Sequence, residues 1–150
     1  MKLYSFVDNH DVDRIISKIQ VKDHIFPIYT LLFTLPGIPS IYYGSEWGIE
    51  GRKEGGNDDP LRPAVEIEEV LNQEKNSKLM KYVKWLGNLH KKYTDCLAYG
   101  RYRELLLTNR QYAFVRFTQE QGLVVAVNND EQEVNISIPV PFENKRYINL

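Results

Sequence analysis

Two short apolar runs set the terms on which this chain can fold. Residues 3–7 (LYSFV) and 38–43 (IPSIYY) are β-branched and aromatic, and both read as strands. Between them, residues 24–35 (HIFPIYTLLFTL) are apolar nearly all round, as in a helix buried on most faces. Asp23 stands where it would cap that helix, and Pro27 falls in its first turn, where a missing N–H costs least. Pro36-Gly37 stops it. Strand, helix and strand within roughly thirty residues predict a right-handed parallel βαβ unit. Both runs are continuous rather than alternating, as in parallel strands covered on both faces.

The second run opens into residues 44–63 (GSEWGIEGRKEGGNDDPLRP), with five glycines, two prolines and eight charged residues. A loop of that length in a compact domain is usually functional or disordered. It follows the C-terminal end of a parallel strand, where barrels and open α/β sheets bind ligands. Residues 64–72 read as a short helical piece. Leu79, Val83, Leu86, Leu89 and Tyr93 then recur at helical spacing over 77–93, with lysines on the solvated face and Asn76 or Ser77 as N-cap. After Gly100 the period changes to two. Tyr112, Phe114 and Arg116 alternate with Ala113, Val115 and Phe117, and Leu123, Val125 and Val127 form a second set. Val134, Ile136 and Ile138 form a third. Turn residues at 120–122 and 128–130 separate them, which predicts an antiparallel meander or sandwich. The change of period places a boundary near 94–100.

Composition narrows the classes. With 19 basic against 20 acidic residues the net charge is −1, so no electrostatic footprint for nucleic acid or an acidic membrane is expected. No run of apolar residues is long enough to span a bilayer, and the first residues turn acidic too soon for a secretory signal. Cys96, the single cysteine, rules out an internal disulfide and reads as a buried thiol. A cytoplasmic location is expected.

Two constellations carry chemistry. Asn9-His10-Asp11 ends the first run, with Arg14 one turn later. A carboxylate beside an imidazole suits charge stabilisation or proton transfer. The plainer reading has Asp11 capping a helix and His10 merely exposed. The histidines at 10, 24 and 90 show no metal-ligand spacing, and no nucleophile elbow or nucleotide-binding loop is present. The second constellation is the glycine-rich loop, in which Glu46, Asn57, Asp58, Asp59 and Arg62 mix carboxylate, amide and guanidinium groups. That mixture suits a hydroxyl-rich, uncharged ligand. The plainer reading is a solvated loop.

Together the two stretches resemble the alpha-amylase superfamily of glycoside hydrolases. Phe6-Val7-Asp8-Asn9-His10-Asp11 is similar to the end of the seventh barrel strand. Leu35-Pro36-Gly37-Ile38-Pro39-Ser40-Ile41-Tyr42-Tyr43-Gly44 is similar to the eighth strand and its approach. Asp59-Pro60-Leu61-Arg62-Pro63 resembles cyclomaltodextrinase, neopullulanase and maltodextrin glucosidase relatives. Many of these carry two consecutive arginines before the proline, and Leu61 takes the first place here.

The resemblance implies an α/β fold: the C-terminal fragment of a (β/α)8 barrel, strands seven and eight with their helices, over 1–96. An incomplete antiparallel β-sandwich domain follows over 97–150. It implies that Asp11 is a catalytic transition-state stabiliser, hydrogen-bonding sugar hydroxyls beside the scissile bond and favouring an oxocarbenium-like ring. His10, Arg14, Asp59 and Arg62 become substrate-binding residues, the two arginines contacting sugar or orienting carboxylates. The parent acts on α-glucosidic bonds of maltodextrins, cyclodextrins or related α-glucans by a retaining mechanism. Hydrolase and transglycosylase activity both stay open, as do the preferred linkage and the exact substrate. Neither the nucleophile nor the general acid aligns with a residue here, so the fragment is expected to be inactive. No cofactor is called for, and calcium elsewhere in the parent is left open. Two strands cannot close a barrel. The isolated chain is therefore expected to self-associate or to stay partly disordered in its N-terminal half. Two other classes remain. One is a non-catalytic carbohydrate-binding or assembly module, with Tyr99, Tyr102 and Tyr112 as a stacking platform. The other is a purely structural interaction protein.

Overall fold

The computed structural model describes residues 3–74, 77–140, 142 and 146–150. Strand β1 (Tyr4–Ser5) pairs in parallel with β2 (Ile38–Pro39), Tyr4 facing Ile38 and Ser5 facing Pro39. The ladder is short. Ile38 N donates to Leu3 O at 2.7 Å and Ser40 N to Ser5 O at 2.9 Å, so the N–H that Pro39 lacks belongs to the far edge. The chain between them carries helix α1 (Ile15–Lys18), a 3-10 turn over Lys22–His24, and helix α2 (Ile25–Thr34). The βαβ order expected from the two apolar runs is therefore present. Their cover is not: Leu3, Tyr4, Phe6 and Ile38 are exposed. Continuous apolar sequence fits strands for two-sided burial, but these residues have no neighbour within the described chain to provide it.

Asp23 does not cap α2. The N-cap is His24, without a side-chain bond, because Asp23 is taken into the preceding 3-10 turn. Pro27 does sit in the first turn. Helix α3 (Ile67–Glu74) and helix α4 (Lys78–Lys92) follow the long loop. Ser77 caps α4 by accepting from Met80 N at 3.1 Å, while Asn76, the other expected cap, lies outside the described residues. Helices α2 and α4 pack through Ile25, Tyr29, Leu32, Leu79 and Leu86. A bond of 2.6 Å between the Thr30 and Tyr82 hydroxyls crosses that interface.

A π-helical turn, Asp95–Tyr99, leads into three antiparallel strands in sequence order: β3 (Arg101–Leu107), β4 (Gln111–Phe117) and β5 (Gly122–Asn128). β4 is central and buried over residues 113–116. Phe114, Leu123 and Val125 pack on Tyr93 and Leu97 in a second core, and Leu89 touches both cores. The strand expected at 134–138 does not form. Residues 133–137 are exposed, and alternation gives a strand no stability without a ladder to satisfy its backbone. Cys96 is buried as expected. Among the described residues no helix is long and apolar enough to cross a membrane.

Candidate active site

The site is built where the chain leaves β1 and β2. Asp8 is buried, and its Oδ2 accepts the N–H of Ile15, the first residue of α1, at 2.9 Å. This closes residues 9–14 into a ring. Inside the ring Asn9 Oδ1 accepts Asp11 N at 2.8 Å, an Asx turn that fixes the backbone of Asp11. Asp11 is therefore not a helix cap. Asp8 meets the start of α1 instead, and Arg14 occupies the N-cap position without a side-chain bond to the helix.

After β2 the chain turns at Gly44, whose φ of 84° lies in the left-handed region that glycine tolerates. Ser45 follows and donates to Asp8 Oδ1 at 2.8 Å. Arg14, fully buried, donates from Nη1 to Tyr43 O at 2.7 Å and to Ser45 Oγ at 3.2 Å. Its guanidinium carbon lies 4.2 Å from the Tyr42 ring centroid and 5.1 Å from that of Tyr43. The long loop then folds back over the ring. Arg14 N donates to Gly51 O at 2.9 Å, Gly51 N donates to Ser17 Oγ at 2.9 Å, and Lys53 N donates to Asp13 Oδ1 at 2.7 Å. A side chain on Gly51 would strike the carbonyl of Pro60, so glycine permits this close return.

At the mouth, His10 Nε2 lies 3.2 Å from Asp11 Oδ2. Arg62 comes from the far end of the loop. Its Nε donates to His10 O at 3.2 Å, and its Nη2 reaches Asp11 Oδ1 and Asp58 Oδ2, each at 3.3 Å. Lys53 Nζ pairs with Asp58 Oδ1 at 2.8 Å, and its hydrogen bond holds the Asp58 carboxyl below the usual range. Behind the mouth the trend reverses. Burial raises Glu46, and burial followed by the charges of Asp8 and Glu46 raises Tyr29 far above an ordinary phenol.

Of the expected site residues, His10, Asp11 and Arg62 are brought together. Asp59 is exposed, and it is its neighbour Asp58 that joins Arg62. Arg14 lies beneath the cluster with no solvent access, which suits orienting others and leaves it no face for a sugar. Leu61 is also fully buried, so the first-arginine position of many relatives is filled here by a core residue. Asp8, Ser45 and Lys53 were not among the expected site residues, and Asp58 was expected only as one polar group of the loop. Nothing in their spacing pairs 8 with 45, though the doubled Asp58-Asp59 did mark a polar focus. The proposed tyrosine platform does not stand free. The Tyr102 and Tyr112 hydroxyls bond each other, and Tyr112 packs against the Phe114 core. Among the described residues no group of three His, Cys, Asp or Glu side chains could hold a metal ion.

Comparison with known proteins then decides the family. The model of the alpha amylase catalytic domain matches residues 1–100. The chain belongs to the alpha-amylase family. Neopullulanase 2 of Thermoactinomyces vulgaris is 30% identical over 142 residues, covering 93% of this chain and 23% of that relative. A cyclomaltodextrinase of a Bacillus species is 26% identical over 132 residues, covering 86% of this chain and 22% of the relative. Among solved structures, a cyclomaltodextrin glucanotransferase with a three-domain ABC distribution superposes with a TM-score of 0.73 at 31% identity. That match covers 85% of this chain and 24% of the other. The alpha-amylase-family chain described here thus spans about a quarter of the length of the relatives it matches.

Proposed function

We propose that these residues supply the last two strands of a (β/α)8 barrel and the opening of a β-sandwich domain in a retaining enzyme acting on α-glucans. The observation that carries this reading is the gathering of His10, Asp11 and Arg62 at the shared mouth of two parallel strands. Asp11, exposed at the mouth, accepts hydrogen bonds from sugar hydroxyls beside the scissile bond, and its charge favours the oxocarbenium-like ring. His10 donates to the same sugar. Arg62 orients Asp11 while Asp58 holds the arginine in place. Arg14 acts from below, through the Tyr43 carbonyl and the Ser45 hydroxyl.

A retaining mechanism also needs a nucleophile and a general acid about 5–5.5 Å apart. This reading assigns neither to a residue of this chain, so the 150 residues alone have no turnover. The test is calorimetric titration of the purified chain with maltoheptaose. Asp11→Ala and His10→Ala are each expected to weaken binding about tenfold, the scale of a lost hydrogen bond to a charged group. Affinity unchanged in both variants would overturn the reading and favour a carbohydrate-binding module. Maltodextrin hydrolysis by the purified chain, free of contaminating enzyme, would overturn the assignment of catalysis to residues elsewhere.

A further inference from the structure

We infer that Asp8 and Ser45 form a buried latch that positions the loop bearing Asp11. The inference rests on the reading of Asp11 as the sugar-facing carboxylate.

The β1–β2 ladder ends with the bond from Ser40 N to Ser5 O. Beyond it the two chains diverge into separate loops, yet Asp11 on one must meet Arg62 on the other. The hydrogen bond of 2.8 Å from Ser45 Oγ to Asp8 Oδ1 rejoins them first, beside the bond of 2.7 Å from Arg14 Nη1 to Tyr43 O. Asp8 also fixes the far end of the Asp11 loop, because its Oδ2 accepts Ile15 N at 2.9 Å. One carboxylate therefore ties residue 8 to residue 15 and the whole ring to the strand opposite. Ser45 serves both sides, donating to Asp8 while accepting from Arg14 Nη1 at 3.2 Å. Asp8 and Ser45 are each 2% exposed, so water does not compete for these bonds. A carboxylate so deeply buried is tolerated only when its oxygens are filled, and the same requirement makes the latch rigid. Neither residue is placed to touch a sugar; both act through the backbone of Asp11.

The test uses the whole chain. Hydrogen exchange is read at residue resolution, and maltoheptaose affinity is measured alongside it. Ser45→Ala is expected to speed exchange at the Asp11 and Ile15 amides about tenfold, as loss of a buried hydrogen bond would. Amides of α4 and β4 should keep their rates, which separates loosening of the loop from loss of the fold. Asp8→Asn keeps an acceptor and the same shape, so it should stay closer to the parent chain than Ser45→Ala. Unchanged exchange at Asp11 and Ile15 in Ser45→Ala overturns the latch. So does unchanged affinity in Ser45→Ala when Asp11→Ala weakens binding. If Asp11→Ala leaves affinity untouched, the functional reading fails, and exchange alone then decides whether the latch holds.

Discussion

Burial rather than charge pairing governs Glu46 and Tyr29 behind the site. The Glu46 carboxyl is pushed up by burial, and its Oε2 has no partner among the described residues. A folded value above the unfolded one means that the stabilising contribution is present in acid and is lost as pH rises through the folded value. Glu46→Gln mimics the neutral acid. It is expected to raise the urea midpoint at pH 7 and leave it unchanged at pH 4, in parallel equilibrium unfolding curves. Tyr112 behaves similarly at the alkaline end. Desolvation first and the Tyr102 hydroxyl second push its phenol from 10.0 up to about 12, so its contribution is full below pH 10.0 and is lost as pH rises through about 12. Nothing in sequence distinguishes Glu46 from its neighbour Glu50, which is exposed and held low by Lys22. The difference comes from which side of the loop faces the core.

Among the elements, helix α4 was the most legible, since five apolar residues at helical spacing and a Ser cap are local signals. The Ser77 hydroxyl accepts from Met80 N, and Ser77→Ala is expected to cost about 1 kcal/mol in denaturant unfolding. The end of α2 was legible only as a stop. Its last carbonyls are covered by remote basic side chains: His90 Nδ1 on Phe33 O at 2.7 Å and Arg116 Nη1 on Thr34 O at 3.1 Å. A positive group at a helix C-terminus opposes its dipole favourably, which helps Arg116 to remain buried with no carboxylate partner among the described residues. Strands β4 and β5 followed their alternation. The 134–138 segment alternates as cleanly and forms no strand, because a ladder is a property of two segments and a period is a property of one.

For the molecule as a whole, Leu89 and Arg116 join the helical part to the sheet. Leu89 packs on both cores, and Arg116 also donates to Gly100 O at 3.2 Å. The β1–β2 pair is less finished. Among the described residues it is a sheet of two strands with Leu3, Tyr4, Phe6 and Ile38 exposed beside unpaired edges. The isolated chain is expected to elute above monomer mass in size exclusion with light scattering. Tyr4→Lys with Phe6→Lys should shift it towards monomer by adding charge to the apolar face. A stable monomer for the parent chain at micromolar concentration would show that the exposed face does not drive association.

Periodicity, turn residues and the paired motifs around His10-Asp11 and Gly37–Gly44 were sufficient to state the βαβ order, the parallel pairing and the family, but not strand β3, which no alternation at 101–107 announced. Each depends on residues near one another in the chain or on a pattern that survives without coordinates. The burial of Arg14, the substitution of Asp58 for Asp59 beside Arg62, and the bond between Ser45 and Asp8 were not readable in that way. They depend on a loop of twenty residues returning to within hydrogen-bond distance of another loop. Many sequence spacings allow such a return, and here close packing at Gly51 and the need to fill a buried carboxylate select one of them.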